Sequence, residues 1–189
     1  PFNYSNGRPV KNWYSGYRGT VTVRKAIADS MNVCAVKTLT EITPQLGFDY
    51  LLNFGFTTLV QNRTEKDGSV VSDIQQPLAL GGITDGITNL EITAAYATIA
   101  NQGTYTRPVF YSKVVDSNGR ILLDNTTPTT HTVLKSSTAS LLTQGMTSVI
   151  TEGTGKACAL TDGMPVSGKT GTTSSAYDLW FCGDRKSVV

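Results

Sequence analysis

The sequence predicts an α+β fold, with helices packed on a small antiparallel sheet. Helical periodicity dominates the first part of the chain, while the clearest strand patterns gather near the C-terminus, an order that argues for segregated helices and strands. Neither an internal repeat nor a linker divides the 189 residues. With 39% hydrophobic content, that length buries a sizeable core and fits one domain or a large part of one.

Each element has a local reason. Thr22 to Ser30 carries Val23, Ala26 and Ile27 at helical spacing with Arg24, Lys25 and Asp29 opposite, and predicts a short helix ending in Ser30-Met31-Asn32. A second helix runs from Val33 to Ile42, where Val33, Val36, Leu39 and Thr40 share a face and Thr43-Pro44 ends it. Gly47 to Phe56 reads as another compact helix, stopped by Gly55, and the polar run Gln61 to Ser72 reads as a surface loop. Gln76 to Gly82 predicts a turn of helix ending in glycines. Thr88 and Glu91 have capping-box spacing, and Leu90, Ala94, Ala97 and Ile99 carry that helix to the Asn101-Gln102-Gly103 stop. Val109 to Val115 and Arg120 to Leu123 predict a hairpin across Asp116-Ser117-Asn118-Gly119. Ser136 to Thr151 is a helix with Leu141, Leu142, Met146, Val149 and Ile150 on its apolar side, closed by Gly153-Thr154-Gly155. Val166 to Thr173 and Tyr177 to Gly183 supply the last strands.

Composition narrows the function classes. The net charge of +2, from 16 basic and 14 acidic residues, names no nucleic acid and no membrane surface as partner. No run of 18 apolar residues occurs, and no signal peptide opens the chain. Cys34, Cys158 and Cys182 are far apart and odd in number, so they show neither a metal pattern nor a disulfide framework and read as buried thiols. His131, the single histidine, lies in a Thr-rich stretch and reads as solvated. No cofactor is expected.

The chemistry concentrates in Val166-Ser167-Gly168-Lys169-Thr170-Gly171-Thr172-Thr173. Glycines and hydroxyls around one lysine suit a backbone that passes close to an anionic ligand. One reading is a strand edge, with Lys169 and Gly171 on one face and Thr170 and Thr172 on the other. The other is a phosphate loop, because Gly163 to Thr170 matches G-x-x-x-x-G-K-S/T. A phosphate loop needs a buried strand before its first glycine and a helix starting at the lysine. Ala159-Leu160-Thr161-Asp162 is too short and polar for the strand, and Thr170 to Ser175 has low helix propensity, so nucleotide binding is the lesser alternative.

Ser30-Met31-Asn32 places a hydroxyl and an amide two residues apart at a helix end, where both can point into a cleft. Taken alone, Ser and Asn there are ordinary helix-terminating residues. Paired with Lys169-Thr170-Gly171, they match the Ser-x-Asn and Lys-Thr-Gly elements that accompany Ser-x-x-Lys in serine acyltransferases that bind penicillin. Further stretches agree: Tyr17 to Asn32, Leu78-Ala79-Leu80-Gly81-Gly82, Glu91 to Gly103, Gly153-Thr154-Gly155 and Asp178-Leu179-Trp180-Phe181. In that order they resemble the transpeptidase domain of class A penicillin-binding proteins, over nearly all of residues 1 to 183.

The resemblance implies the penicillin-binding protein/serine β-lactamase-like fold, truncated at both ends. It also implies a peptidoglycan D,D-transpeptidase that cross-links stem peptides through an acyl-enzyme and is a β-lactam target. By matching motif, Ser30 would relay protons toward the leaving amine, Asn32 would hydrogen-bond the substrate backbone, and Lys169 would hold the Ser30 hydroxyl and add positive potential. Thr170 and Thr172 would bind the donor's terminal carboxylate, the Thr172 N–H would be half of an oxyanion hole, and Gly171 would leave room for an extended peptide along the strand. Membrane attachment, on the extracytoplasmic face of the bacterial cell membrane, would come only through a segment outside this chain.

One motif of the family is absent. No serine of this chain has a lysine three positions on; Ser117, with Arg120, sits in a hairpin turn. The nucleophile is therefore expected upstream of Pro1, and the chain alone is expected to be inactive. A non-catalytic β-lactam sensor or degenerate binding domain is the alternative, which the residues upstream would discriminate. A class A β-lactamase shares the motifs, but the sequence between Ser30 and Lys169 resembles the transpeptidase, and no candidate deacylating glutamate is seen. Finally, Asp184-Arg185-Lys186-Ser187-Val188-Val189 breaks the last strand pattern and equals the translation of a widely used sequencing-adapter sequence. It reads as a non-native tail after a partial domain of residues 1 to 183.

Overall fold

The computed structural model describes residues 1–173 and 176–185. Among these residues are five α-helices, α1 (Val23–Ala28), α2 (Asn32–Ile42), α3 (Pro44–Asn53), α4 (Asn89–Ala100) and α5 (Ser136–Thr151), the first three consecutive and the others separated by short antiparallel ribbons. Their eight strands are β1 (Arg63–Thr64), β2 (Val70–Val71), β3 (Thr104–Thr106), β4 (Lys113–Val115), β5 (Ile121–Asp124), β6 (Thr130–Thr132), β7 (Val166–Thr172) and β8 (Leu179–Arg185). Among the described residues these pair two by two, β1 with β2, β3 with β6, β4 with β5 and β7 with β8, so the α+β class holds while the sheet is divided into ribbons.

Two packed regions carry the fold. Leu39 of α2, Phe48 of α3 and Leu78 of a 3-10 turn at Gln76–Leu80 form one buried cluster, ringed by Leu51, Leu59, Ile74 and Ile83. Gly47 lets α3 come against α2, since a Cβ there would lie 2.5 Å from Leu39 Cδ1. In the second region α5 packs on α1 and on β7, burying Ala28, Met146, Val149 and Val166. Arg24 fastens α1 to α5, donating to the Gln144 carbonyl and the Ser148 hydroxyl.

Helix ends follow their caps. Thr22 Oγ1 accepts the Lys25 N–H and opens α1. At α4 the expected capping box is formed, and Glu91 does more than cap: its Oε1 also accepts the N–H and hydroxyl of Thr57, each at 2.7 Å. Thr43 ends α2 as expected and is at the same time the cap of α3, with φ +77° and Pro44 in the first turn. The third helix therefore starts before Gly47 and ends before Phe54.

Other expectations are corrected. The run read as a surface loop, Gln61 to Ser72, holds the β1–β2 ribbon. His131 is exposed, in keeping with a solvated side chain, but it lies in β6 opposite Tyr105 with its Nε2 2.8 Å from the Asn53 carbonyl. The three cysteines are half-buried thiols, not fully buried ones. Strand β8 continues through Asp184 and Arg185, the latter opposite Val166, because ladder hydrogen bonds use backbone groups and tolerate polar side chains. The remainder of the expected tail, residues 186–189, lies outside the described residues. No helix among the described residues is long and apolar enough to cross a membrane.

Candidate active site

Strand β7 decides the first question of chemistry. Residues 166 to 172 are extended and pair one to one with β8, Lys169 opposite Cys182 and Gly171 opposite Trp180. Gly163 stands in a turn and no helix begins at Lys169, so the phosphate-loop alternative is overturned: the amides it would aim at a phosphate belong to a strand. Gly168 is required by the ladder, since a Cβ would come within 2.5 Å of the Phe181 ring and 2.8 Å of the Cys182 carbonyl. Gly171 is different. Among the described residues nothing lies within 4 Å of where its Cβ would be, so that side of the strand faces open space.

The Ser30 turn is built by the end of α1. The Ser30 N–H bonds to the Ile27 carbonyl and the Met31 N–H to the Ala26 carbonyl, the paired closure that usually has glycine in the left-handed position. Here that position is Ser30, with φ +51°. A non-glycine residue in this region costs about 1 kcal/mol or more, and such strain concentrates at functional sites. Gly153 brings this turn to β7: the Ala28 carbonyl would be 2.1 Å from a Cβ at Gly153, and it accepts the Thr154 N–H at 3.0 Å.

These elements meet at one cleft of about 790 Å³ whose lining includes Ser30, Asn32, Lys169, Thr170, Gly171 and Thr172, all six residues singled out from the sequence. Lys169 Nζ donates to Ser30 Oγ at 2.7 Å and to the Thr170 carbonyl at 2.9 Å. Burial pushes the Lys169 ammonium below the ordinary lysine value, with no carboxylate among its hydrogen-bond partners to offset it. Asn32 departs in part from expectation. It is the first residue of α2, and its Nδ2 donates to the Lys11 carbonyl at 3.0 Å, so part of its donor capacity holds the scaffold.

Sequence reasoning missed Thr154 as a member of the site. Its hydroxyl lies 2.8 Å from that of Thr170, fixing the side chain on the face of β7 opposite Lys169. Gly153-Thr154-Gly155 reads from the sequence as a helix stop and as one stretch of the family resemblance, with no role in the site given to Thr154. Asp178, beyond the strand, closes the β7–β8 hairpin through the Thr173 hydroxyl and amide. Among the described residues no cluster of three or more His, Cys, Asp or Glu side chains could hold a metal ion.

The family described as "Penicillin binding protein transpeptidase domain" matches residues 1–185. The chain belongs to that transpeptidase family. Penicillin-binding protein 4 of Bacillus subtilis (strain 168) is 35% identical over 173 residues, 92% of this chain and 26% of its own length. Penicillin-binding protein 1A of Clostridium botulinum (strain Hall) is 38% identical over 184 residues, 95% of this chain and 21% of its own length. The transpeptidase chain thus spans about a quarter or less of the length of these relatives. Among solved structures, PonA1 of Mycobacterium tuberculosis in complex with penicillin V shares the fold, with a TM-score of 0.78 and 23% identity, over 98% of this chain and 50% of that one.

Proposed function

We propose that this chain is the C-terminal part of a peptidoglycan D,D-transpeptidase domain, carrying the proton-relay and donor-recognition half of a serine acyl-transfer site. Its nucleophile, the serine of Ser-x-x-Lys, belongs to residues N-terminal to Pro1, so these 189 residues alone do not form an acyl-enzyme. The observation that carries the reading is the 2.7 Å bond between Lys169 and Ser30, set beside an open strand edge.

In this reading the upstream serine attacks the penultimate carbonyl of a stem peptide. Its proton passes through Ser30 to the departing amine, and the acyl group is then transferred to the amine of a second stem peptide. Lys169 favours this relay electrostatically: a cation in a partly dry cleft keeps the Ser30 hydroxyl oxygen oriented and stabilises negative charge on the reacting oxygens. Thr170 and Thr172 receive the donor's carboxylate, the Thr172 N–H contributes to the oxyanion hole, and Asn32 binds the peptide backbone. The donor lies extended along β7, where Gly171 has no side chain to obstruct it. A β-lactam occupies the same groove as an acylating mimic. The full protein acts on the extracytoplasmic face of the bacterial membrane, held there by a segment outside these residues.

Fluorescent penicillin tests this directly on the 189-residue chain and on a version extended at both ends from the native gene. Labelling of the extended protein alone, lost when its Ser-x-x-Lys serine becomes alanine, is the expected result. Absence of labelling in both would sink the transpeptidase reading and favour a degenerate binding domain.

A further inference from the structure

Ser30 sits where α1 ends and α2 begins, and both helix ends recruit partners from a remote stretch. Met31, which precedes α2, offers that helix no side-chain acceptor. Asn12 supplies it instead, its Oδ1 accepting the Val33 N–H at 3.2 Å. At the end of α1 the Asp29 carbonyl, one of the acceptors a helix terminus leaves without an intrahelical donor, takes the Trp13 indole N–H at 2.8 Å. The Asn32 amide closes a third tie to the Lys11 carbonyl.

The same stretch grips the Asp29 side chain. Arg18 pairs with one carboxylate oxygen and Lys25 Nζ lies 3.1 Å from the other, while the Arg18 guanidinium lies 4.1 Å over the Tyr14 ring. Trp13 meets Tyr14 edge to face. Trp13 is nevertheless 64% exposed, so burial does not explain its seating, and its N–H is the group in use.

We propose that Asn12 and Trp13 are positioning residues for Ser30, capping α2 and α1 from outside so that its left-handed backbone holds the hydroxyl against Lys169. The physical need is plain. A serine at φ +51° gains by relaxing to negative φ unless the residues on both sides are fixed, and relaxation would swing the hydroxyl away from the ammonium 2.7 Å off. Ties at Asp29, Asn32 and Val33 fix both sides, and none uses the Ser30 side chain, which stays free for chemistry. The catalytic consequence rests on the transpeptidase reading; the conformational claim does not.

The test uses the native-length protein carrying Trp13→Phe, Asn12→Leu or Asn12→Asp. Serine-selective NMR reads the Ser30 backbone through its amide–α-proton coupling and carbon shifts, and stopped-flow labelling with fluorescent penicillin separates initial binding from acylation. Trp13→Phe and Asn12→Leu are expected to remove the left-handed signature of Ser30. They slow the acylation step about fivefold to tenfold, the loss of one hydrogen bond, with initial binding unchanged. Asn12→Asp, which keeps the acceptor, restores both readouts. An unaltered Ser30 signature in folded Trp13→Phe would overturn the proposal, as would Asn12→Asp behaving like Asn12→Leu. Because Trp13→Phe keeps a ring at an exposed position, it decides the matter if Asn12→Leu does not fold. An unlabelled wild-type protein would sink the transpeptidase reading instead, and the Ser30 coupling would still decide the positioning role.

Discussion

Lys169 and Ser30 stand 139 residues apart in the chain and 2.7 Å apart in space, the ammonium donating to the hydroxyl. The contact joins a strand of the C-terminal ribbon to the turn between the first two helices, and α5 holds the two together by packing on both α1 and β7.

The Ser30 backbone makes its own cost measurable. Ser30→Gly relieves the left-handed strain and Ser30→Ala keeps it, while both lose the bond to Lys169. The glycine variant is expected to be more stable than the alanine variant by about 1 kcal/mol, in urea unfolding, although neither supports acyl transfer in the native-length protein. Equal stability would mean that the turn is not strained.

Two glycines of one strand separate folding from function. Gly168→Ala pushes a methyl into Phe181 and the Cys182 carbonyl and is expected to cost about 1–3 kcal/mol. Gly171→Ala meets no atom of the described residues, so stability is expected to stay within about 0.5 kcal/mol of wild type. In the native-length protein it is nonetheless expected to slow penicillin acylation, because on the proposed reading its methyl stands where an extended ligand would lie. A normal acylation rate in Gly171→Ala would remove β7 from the binding groove.

Desolvation of Lys169 sets an alkaline trend. Its folded value is depressed from 10.5, so as pH rises from that depressed value to 10.5 the folded state releases the proton before the unfolded state does. The unfolded chain then holds more protons, and stability from this group rises with pH across that window. Lys169→Met abolishes the rise; chemical denaturation at successive pH values compares the two slopes.

Glu91 makes stability rise with pH on the acid side as well, here because its charged form is the favoured one. Burial pushes its carboxyl up, but bonds donated by the backbone and hydroxyl groups of Thr88 and Thr57 outweigh this and hold it at about 2. The stabilisation is therefore full above 4.5 and is lost as pH falls from 4.5 toward 2. Glu91→Gln, whose amide turns a donor toward those donors, costs about 2 kcal/mol at neutral pH and flattens the acid limb. Circular dichroism titrations of both proteins check it.

Much of the fold was legible where local rules force it, and the site residues through the resemblance of their paired motifs. Helix α4 announces itself by Thr88 and Glu91, whose capping box is a four-residue pattern. Strand β7 shows as glycines alternating with lysine and threonine, and its failure to satisfy the helix requirement of a phosphate loop was also local. What failed was short or remote. Strands β3 and β6 have three residues each, too few for an alternation to register, and they pair across the whole β4–β5 hairpin. Thr43 ends α2 as expected, but it also caps α3, so the sequence reading starts the third helix too late, at Gly47 instead of Pro44.

The sequence by itself determined which side chains this transpeptidase-family chain brings to its cleft, Ser30, Asn32 and the Lys169 to Thr172 run, because two short family motifs carry them all. Only the tertiary structure decided how they are held. The Ser30 contact with Lys169, the Thr154 hydroxyl on Thr170, and the Asn12 and Trp13 caps all depend on distant segments meeting. A chain's local pattern encodes helix and strand periods, whereas the partner of a terminal carbonyl or a strand hydroxyl is whatever the packed core carries to within 3 Å of it.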